Sequence, residues 1–159
     1  MLSRFYAPWI WAPLILVTDF ISKRLVLAGE AELRARIEVI GDFVRFIYVR
    51  NPGSAMGLFP AGRPFLIGFS LLAAVALVWL YRATDPARRL KRAATAAVFG
   101  GALGNLIDRV FYDGLVVDFI DIGIGPHRFY TFNVADMGVS IGGVLLFFCL
   151  LREGRTADA

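Results

Sequence analysis

Cysteine and histidine are nearly absent: Cys149 and His127 are the only ones in 159 residues. A single cysteine excludes an internal disulfide framework, and Cys149 lies in an apolar run where packing accounts for it. His127 has no cysteine or second histidine at ligand spacing, so no zinc motif is present. There is no G-x-S-x-G elbow and no phosphate-cradling glycine loop. Internal repeats and low-complexity tracts are also missing. Charge is sparse at 19%, and whole stretches carry none. The side chains left for acid–base chemistry are a few scattered carboxylates.

Apolar residues fill the space instead. They make up 58% of the chain, and the mean hydropathy is +0.65. Soluble domains run at about 45–50%, so the composition points to an integral membrane protein. A spanning helix needs roughly 20 mostly apolar residues. The clearest candidate, Pro64 to Tyr81, contains no charge. A second runs from Phe5 past Asp19 to Leu27. A third begins at Ala93 and must continue through Asp108 and Arg109. The fourth starts at Asn133 and runs to Leu151. The expected fold is mainly α: a four-transmembrane-helix bundle with a small extracytoplasmic β-hairpin region. It forms one domain, 1–159, with spans at about 5–27, 64–82, 93–112 and 133–151 and extracytoplasmic segments at 28–63 and 113–132.

Orientation follows from the basic residues of short loops. Arg82, Arg88, Arg89, Lys91 and Arg92 lie between spans two and three, Arg152 and Arg155 follow span four, and Arg4 precedes span one. Four spans bring all three groups to one side, the cytoplasmic one, with both termini. Topology thus explains the net charge of +4 and the pI near 9.6, and no nucleic acid partner is expected. Val26-Leu27-Ala28 is weakly cleavage-like, but Asp19, Lys23 and Arg24 interrupt the approach to it, so the first segment is expected to be retained.

Between spans one and two the pattern changes. Leu33 to Val39 alternates apolar and polar, a half-buried strand signal. Gly41-Asp42 is turn-like, and Phe43 to Arg50 is rich in β-branched and aromatic residues. Asn51 to Gly62 is a loop punctuated by glycine and proline, with Met56, Leu58 and Phe59 placed to dip into the interface. Tyr112 to Tyr130 has strand-like pieces and glycine turns. These two outer segments are expected to pack together over one mouth of the bundle. Gly100, Gly101 and Gly104, and Gly138, Gly142 and Gly143, are expected to let helices three and four approach closely.

The polar residues of the spans gather at that same outer end: Asp19 and Lys23; Asn105, Asp108 and Arg109; Asn133 and Asp136; with Asp118 in the loop before the last span. Intramembrane ionisable groups cost about 2.5–3.5 kcal/mol each on insertion scales and are functional candidates by default. Each also has a structural explanation. Asp19 and Lys23 have the spacing of a helix-face ion pair. Asp136 suits a helix N-terminus, Asn133 suits its N-cap, and Asp118 suits an ordinary loop. Their collection on one level favours a site. Asp118 and Asp136 are the attractive pair, because two carboxylates close together in a low-dielectric place share a proton. That is the logic of an aspartic protease. A proton- or ion-coupled carrier using Asp19, Asp108 and Asp136 is the non-enzymatic alternative.

The motifs carrying these residues resemble the lipoprotein signal peptidase (signal peptidase II) family across essentially the whole chain. "DFISK" from Asp19, "NPGSAMG" from Asn51, "GGALGNLIDR" from Gly100, "VVDFI" from Val116 and "FNVADMGVSIG" from Phe132 occur in the family's order. Ser54, Met56 and Met137 depart from its usual residues. The resemblance implies a membrane aspartic endopeptidase that cleaves bacterial prolipoproteins before a diacylglyceryl-modified cysteine. It assigns Asp118 and Asp136 as the catalytic pair. Asn51, Gly53, Asn105, Arg109, Asn133, Asp19 and Lys23 become substrate-binding or supporting residues. It implies no metal or other cofactor. The expected partners are the lipid-modified prolipoprotein and membrane lipids. The expected setting is the bacterial inner membrane, as a monomer with its active site at the periplasmic face.

Overall fold

The structure is a computed structural model and describes residues 7–52 and 62–157. Gly53, Ser54, Met56, Leu58 and Phe59 lie outside the described residues. A 3₁₀ turn, Ala7–Ile10, leads into α1 (Trp11–Ala28) and the short α2 (Glu30–Arg34). Strands β1 (Ile37–Ile40) and β2 (Val44–Asn51) precede helices α3 (Arg63–Ala83) and α4 (Arg89–Phe111). Strands β3 (Val116–Ile124) and β4 (His127–Arg128) then precede α5 (Val134–Ala157). The protein is therefore mainly helical, with one small antiparallel sheet in the order β1-β2-β3-β4.

Helix α4 is the centre of the bundle, packed against α1, α3 and α5. Its small residues make this possible. A Cβ added at Gly100 would stand 2.5 Å from the Ala12 carbonyl oxygen of α1, and one at Gly101 would collide with the Ala135 carbonyl of α5. Gly138 and Gly142 bring α5 equally close to its neighbours, but a Cβ at Gly143 would meet nothing within 4 Å. Gly143 is thus not a packing glycine, contrary to its sequence context; a Cβ there would stand in open space. Among the described residues, two helical segments are long and apolar enough to cross a membrane, Arg63–Ala83 and Val134–Gly154. Charged side chains explain why the other two long helices are less apolar: Asp19, Lys23 and Arg24 on α1, and Arg89, Lys91, Arg92, Asp108 and Arg109 on α4. Several of these are buried inside the bundle. The outer faces of the helices remain apolar and exposed, as at Leu25, Leu72, Val75, Trp79, Phe147 and Phe148.

The alternation read over Leu33 to Val39 is only partly strand. Glu30–Arg34 coils into α2, where Arg34 bonds Glu30 one turn back at 2.5 Å. Arg36 then takes a left-handed conformation, φ 68°, and the strand starts at Ile37. All four β1 residues are exposed rather than half-buried, as befits a short edge strand. A local ion pair and a backbone reversal thus override the period of two.

The sheet has two distinct faces. Val117 and Phe119 of β3 join Val26 of α1 and Leu33 of α2 in an apolar core. The residues between them necessarily point the other way. Val49 pairs with Asp118 and Asn51 with Val116 across β2 and β3, so these four share the opposite face. At the far end of the sheet Asp121 receives both Arg45 and Arg128, and Arg45 also reaches Asp42. This ion cluster ties the β1–β2 turn to β3 and β4.

Candidate active site

The N-terminus of α5 is built from its own sequence. Asn133 Oδ1 accepts the Asp136 N–H at 2.9 Å, and Asp136 Oδ2 accepts the Asn133 N–H at 3.2 Å. This reciprocal arrangement is a capping box with aspartate in the acidic role. It satisfies two backbone donors and fixes the Asp136 carboxylate beside the helix end. A third donor there, the Ala135 N–H, goes to Asp19 Oδ1 of α1 at 2.8 Å.

Asp118 arrives from the sheet. It is 1% exposed, and both its oxygens accept side-chain amides: Asn51 Nδ2 at 2.9 Å and Asn133 Nδ2 at 2.6 Å. Asp136 Oδ1 accepts Asn105 Nδ2 of α4 at 2.7 Å. Asn133 therefore touches both carboxylates, one through its side chain and one through its backbone. Among the described residues their hydrogen-bond partners are neutral amides, which orient the carboxylates without supplying a charge. Burial, and then the charge of Asp136, push the Asp118 carboxyl up to about 7 from 3.8, against the bonds from Asn51 and Asn133.

Lys23 forms a second layer behind the pair. It is fully buried and reaches Asp19 at 2.8 Å, Asp108 at 3.0 Å and Asn105 Oδ1 at 3.0 Å. Its three donors meet three acceptors. Asp108 also accepts the Val117 N–H at 3.1 Å. One ammonium thus links α1, α4, the start of β3 and, through Asp19, the cap of α5. The i, i+4 pairing of Asp19 with Lys23 was legible in sequence; the contribution of Asp108 from another helix was not.

The two carboxylates open on a cavity of about 700 Å³. Asn51, Asn105 and Arg109 share its polar end with Asp118 and Asp136, while Met137, Val139 and Ile141 line an apolar wall along α5. Val49, Arg50, Phe129, Tyr130 and Ser140 also line it, and sequence reasoning did not single these out. Ser140 had a usable signal, since it lies four residues after Asp136 on the same helix face. Asn133, Asp19 and Lys23 are not lining residues; they support the site from behind.

A sequence profile described as signal peptidase (SPase) II matches residues 11–152. The lipoprotein signal peptidase of Syntrophomonas wolfei is 38% identical over 155 residues, covering 98% of this chain and 97% of its own. That of Desulforapulum autotrophicum is 39% identical over 140 residues, covering 85% of each. Two solved bacterial membrane enzyme structures, determined by the in meso method, share the fold. One has a TM-score of 0.83 at 31% identity, covering 93% of this chain and 89% of that one. The other has a TM-score of 0.80 at 32% identity, covering 91% and 92%. None of these relatives lends support to the carrier alternative.

Proposed function

The chain belongs to the signal peptidase II family, whose work is to remove signal peptides from lipoprotein precursors, and we propose that it does so as an aspartic endopeptidase with Asp118 and Asp136 as its catalytic pair. The observation that carries this reading is that two carboxylates joined by Asn133 face one cavity and, among the described residues, are hydrogen-bonded by neutral amides. A raised Asp118 is suited to hold the proton. Asp136, at a helix N-terminus, is suited to hold the negative charge.

The chemistry balances with that assignment. Asp136 takes a proton from water as the water oxygen attacks the scissile carbonyl carbon. Asp118 gives its proton to the carbonyl oxygen, forming a gem-diol. On collapse the C–N bond breaks, the departing amine takes the proton from Asp136, and a diol hydroxyl returns one to Asp118. Arg109, permanently charged, offers a donor to a peptide carbonyl from the cavity wall.

Four helices, α1, α3, α4 and α5, span the bacterial inner membrane in this reading. Arg82 to Arg92 and both termini lie in the cytoplasm, and the sheet lies on the periplasmic side. Support comes from the apolar outer faces of the helices and from the basic loop between α3 and α4. The scissile bond of a lipid-anchored precursor lies at the membrane surface, where the cavity would meet it. The substrate is the precursor whose cysteine already carries diacylglycerol, and the acyl chains supply binding energy that a bare peptide lacks. The test is cleavage by purified protein of lipidated and unlipidated precursor, with Asp118→Asn and Asp136→Asn checked for intact folding. Cleavage before the lipidated cysteine by wild type alone is expected, with the unlipidated precursor much poorer. A folded variant with near-normal rate would remove its aspartate from the pair.

A further inference from the structure

We propose that the Ser140 hydroxyl donates a hydrogen bond to a glyceryl ester carbonyl of the substrate, making the α5 wall of the cavity a diacylglyceryl subsite; this rests on the peptidase reading above. Asp136, Ser140 and Gly143 follow one another at i, i+4 and i+7 and so lie on one face of α5. Ser140 is exposed and lines the cavity with Met137, Val139 and Ile141. It is a hydroxyl on an otherwise apolar wall.

Most hydroxyls elsewhere in the helices are occupied; Ser70 of α3 makes no hydrogen bond among the described residues, but it does not line the cavity. Thr18, Thr84 and Thr95 each donate to the carbonyl four residues back, at 2.7–2.8 Å. Ser140 makes no hydrogen bond among the described residues. Its donor is free for a ligand in the cavity. Below it the wall stays open, since a Cβ at Gly143 would meet nothing within 4 Å, although Gly138 and Gly142 on the adjoining face are packed tight.

The axial distances agree with a lipid ester. Four residues along a helix advance about 6 Å. That separates Asp136, at the scissile carbonyl, from Ser140. Eight bonds lead from the scissile carbonyl carbon through the cysteine side chain, its thioether and the glyceryl carbons to the first ester carbonyl; extended they reach farther than that, so a bent linkage brings the ester beside Ser140. Past the ester, an acyl chain needs an apolar track with no obstructing side chain, which Gly143 and its neighbours Ile141 and Val144 provide.

The test uses two synthetic lipopeptides that differ only in the glyceryl linkage, one diester and one dialkyl ether, the latter lacking ester carbonyls. Ser140→Ala should lower kcat/KM on the diester about fivefold, the worth of one neutral hydrogen bond. The same change should leave the ether substrate nearly unaffected, and Ser140→Thr should retain the diester rate. An equal loss on both substrates, or no loss on either, would overturn the subsite while leaving the peptidase reading intact. Wild type inactive on the diester would sink the peptidase reading, and the subsite with it. Gly143→Leu provides an independent readout: it should shift preference toward shorter acyl chains, and an unchanged chain-length profile counts against the track.

Discussion

A pH profile tests the site most directly, because its sign follows from particular bonds. Asp118 carries its proton up to a pH near 7, chiefly through burial and secondarily through the charge of Asp136. If Asp118 must be protonated to polarise the scissile carbonyl, kcat/KM on lipidated precursor should fall as pH rises through about 7. Above that midpoint the loss should approach about tenfold per pH unit. The position of the limb should respond to Asn51. Its amide donates to Asp118 at 2.9 Å and favours the ionised form. Asn51→Leu removes that donor and adds apolar surface, so the midpoint should move up, by about one unit for the loss of one charge-assisted bond. A substrate-free readout runs in parallel. A carboxyl raised from 3.8 to about 7 contributes stability that is present below pH 3.8 and lost as pH rises through about 7. Thermal unfolding of wild type in detergent should therefore show a falling stability component across that window. Asp118→Asn should flatten it. A midpoint that stays fixed or falls in Asn51→Leu would refute the assignment of the proton to Asp118, whatever the absolute rates.

Two further predictions concern packing and topology. A Cβ at Gly104 would stand 2.6 Å from Asp19 Oδ2 and 3.2 Å from the Ala135 Cβ; Gly104→Ala should cost about 1–3 kcal/mol of stability and lower activity, read by thermal unfolding and cleavage rate, and a silent substitution would show that the α1–α4–α5 contact can relax. In a Cys149→Ser background, Arg89→Cys should resist an impermeant thiol reagent in intact cells and react after permeabilisation; labelling from outside would reverse the proposed topology.

How much was legible in the sequence depended on whether the signal was local. The apolar run Pro64 to Tyr81 lies within a single helix, and the β-branched run after Phe43 forms a single strand, because both patterns are set by burial along one element. The capping box of α5 was half visible: Asn133 reads as a cap, but whether its N–H donates back to the Asp136 carboxylate depends on the rotamer Asp136 takes at the helix end. Leu33 to Val39 misled because Glu30 and Arg34 favour a helix turn at the same place, and one left-handed residue at Arg36 ends the conflict. Gly143 misled because a glycine on an apolar helix does not declare which face it occupies. The joining of Asp108 to Lys23 and the two bonds of Asn133 to neighbouring carboxylates cross between elements distant in sequence, and no spacing rule encodes them.

Those crossings also separate aspartates that look alike in sequence. Asp19, Asp108, Asp118 and Asp136 all stand at the same end of the bundle, and composition gives no reason to prefer two of them. Their partners do. Asp19 and Asp108 share the Lys23 ammonium at 2.8 and 3.0 Å, and each also accepts a backbone N–H, from Ala135 and Val117. A buried ion pair whose remaining sites are filled offsets its own desolvation and holds elements in register, but it lies behind the cavity and does not line it. Asp118 and Asp136 are held by amides from Asn51, Asn105 and Asn133, which orient a carboxylate without neutralising it, and they line the cavity. Orientation without neutralisation, at a surface a peptide can reach, is what proton transfer to and from a substrate requires. The lysine-bound pair is the scaffold that sets this geometry: Lys23 fixes Asn105, Asn105 fixes Asp136, and Asp19 caps the helix from which Asp136 projects.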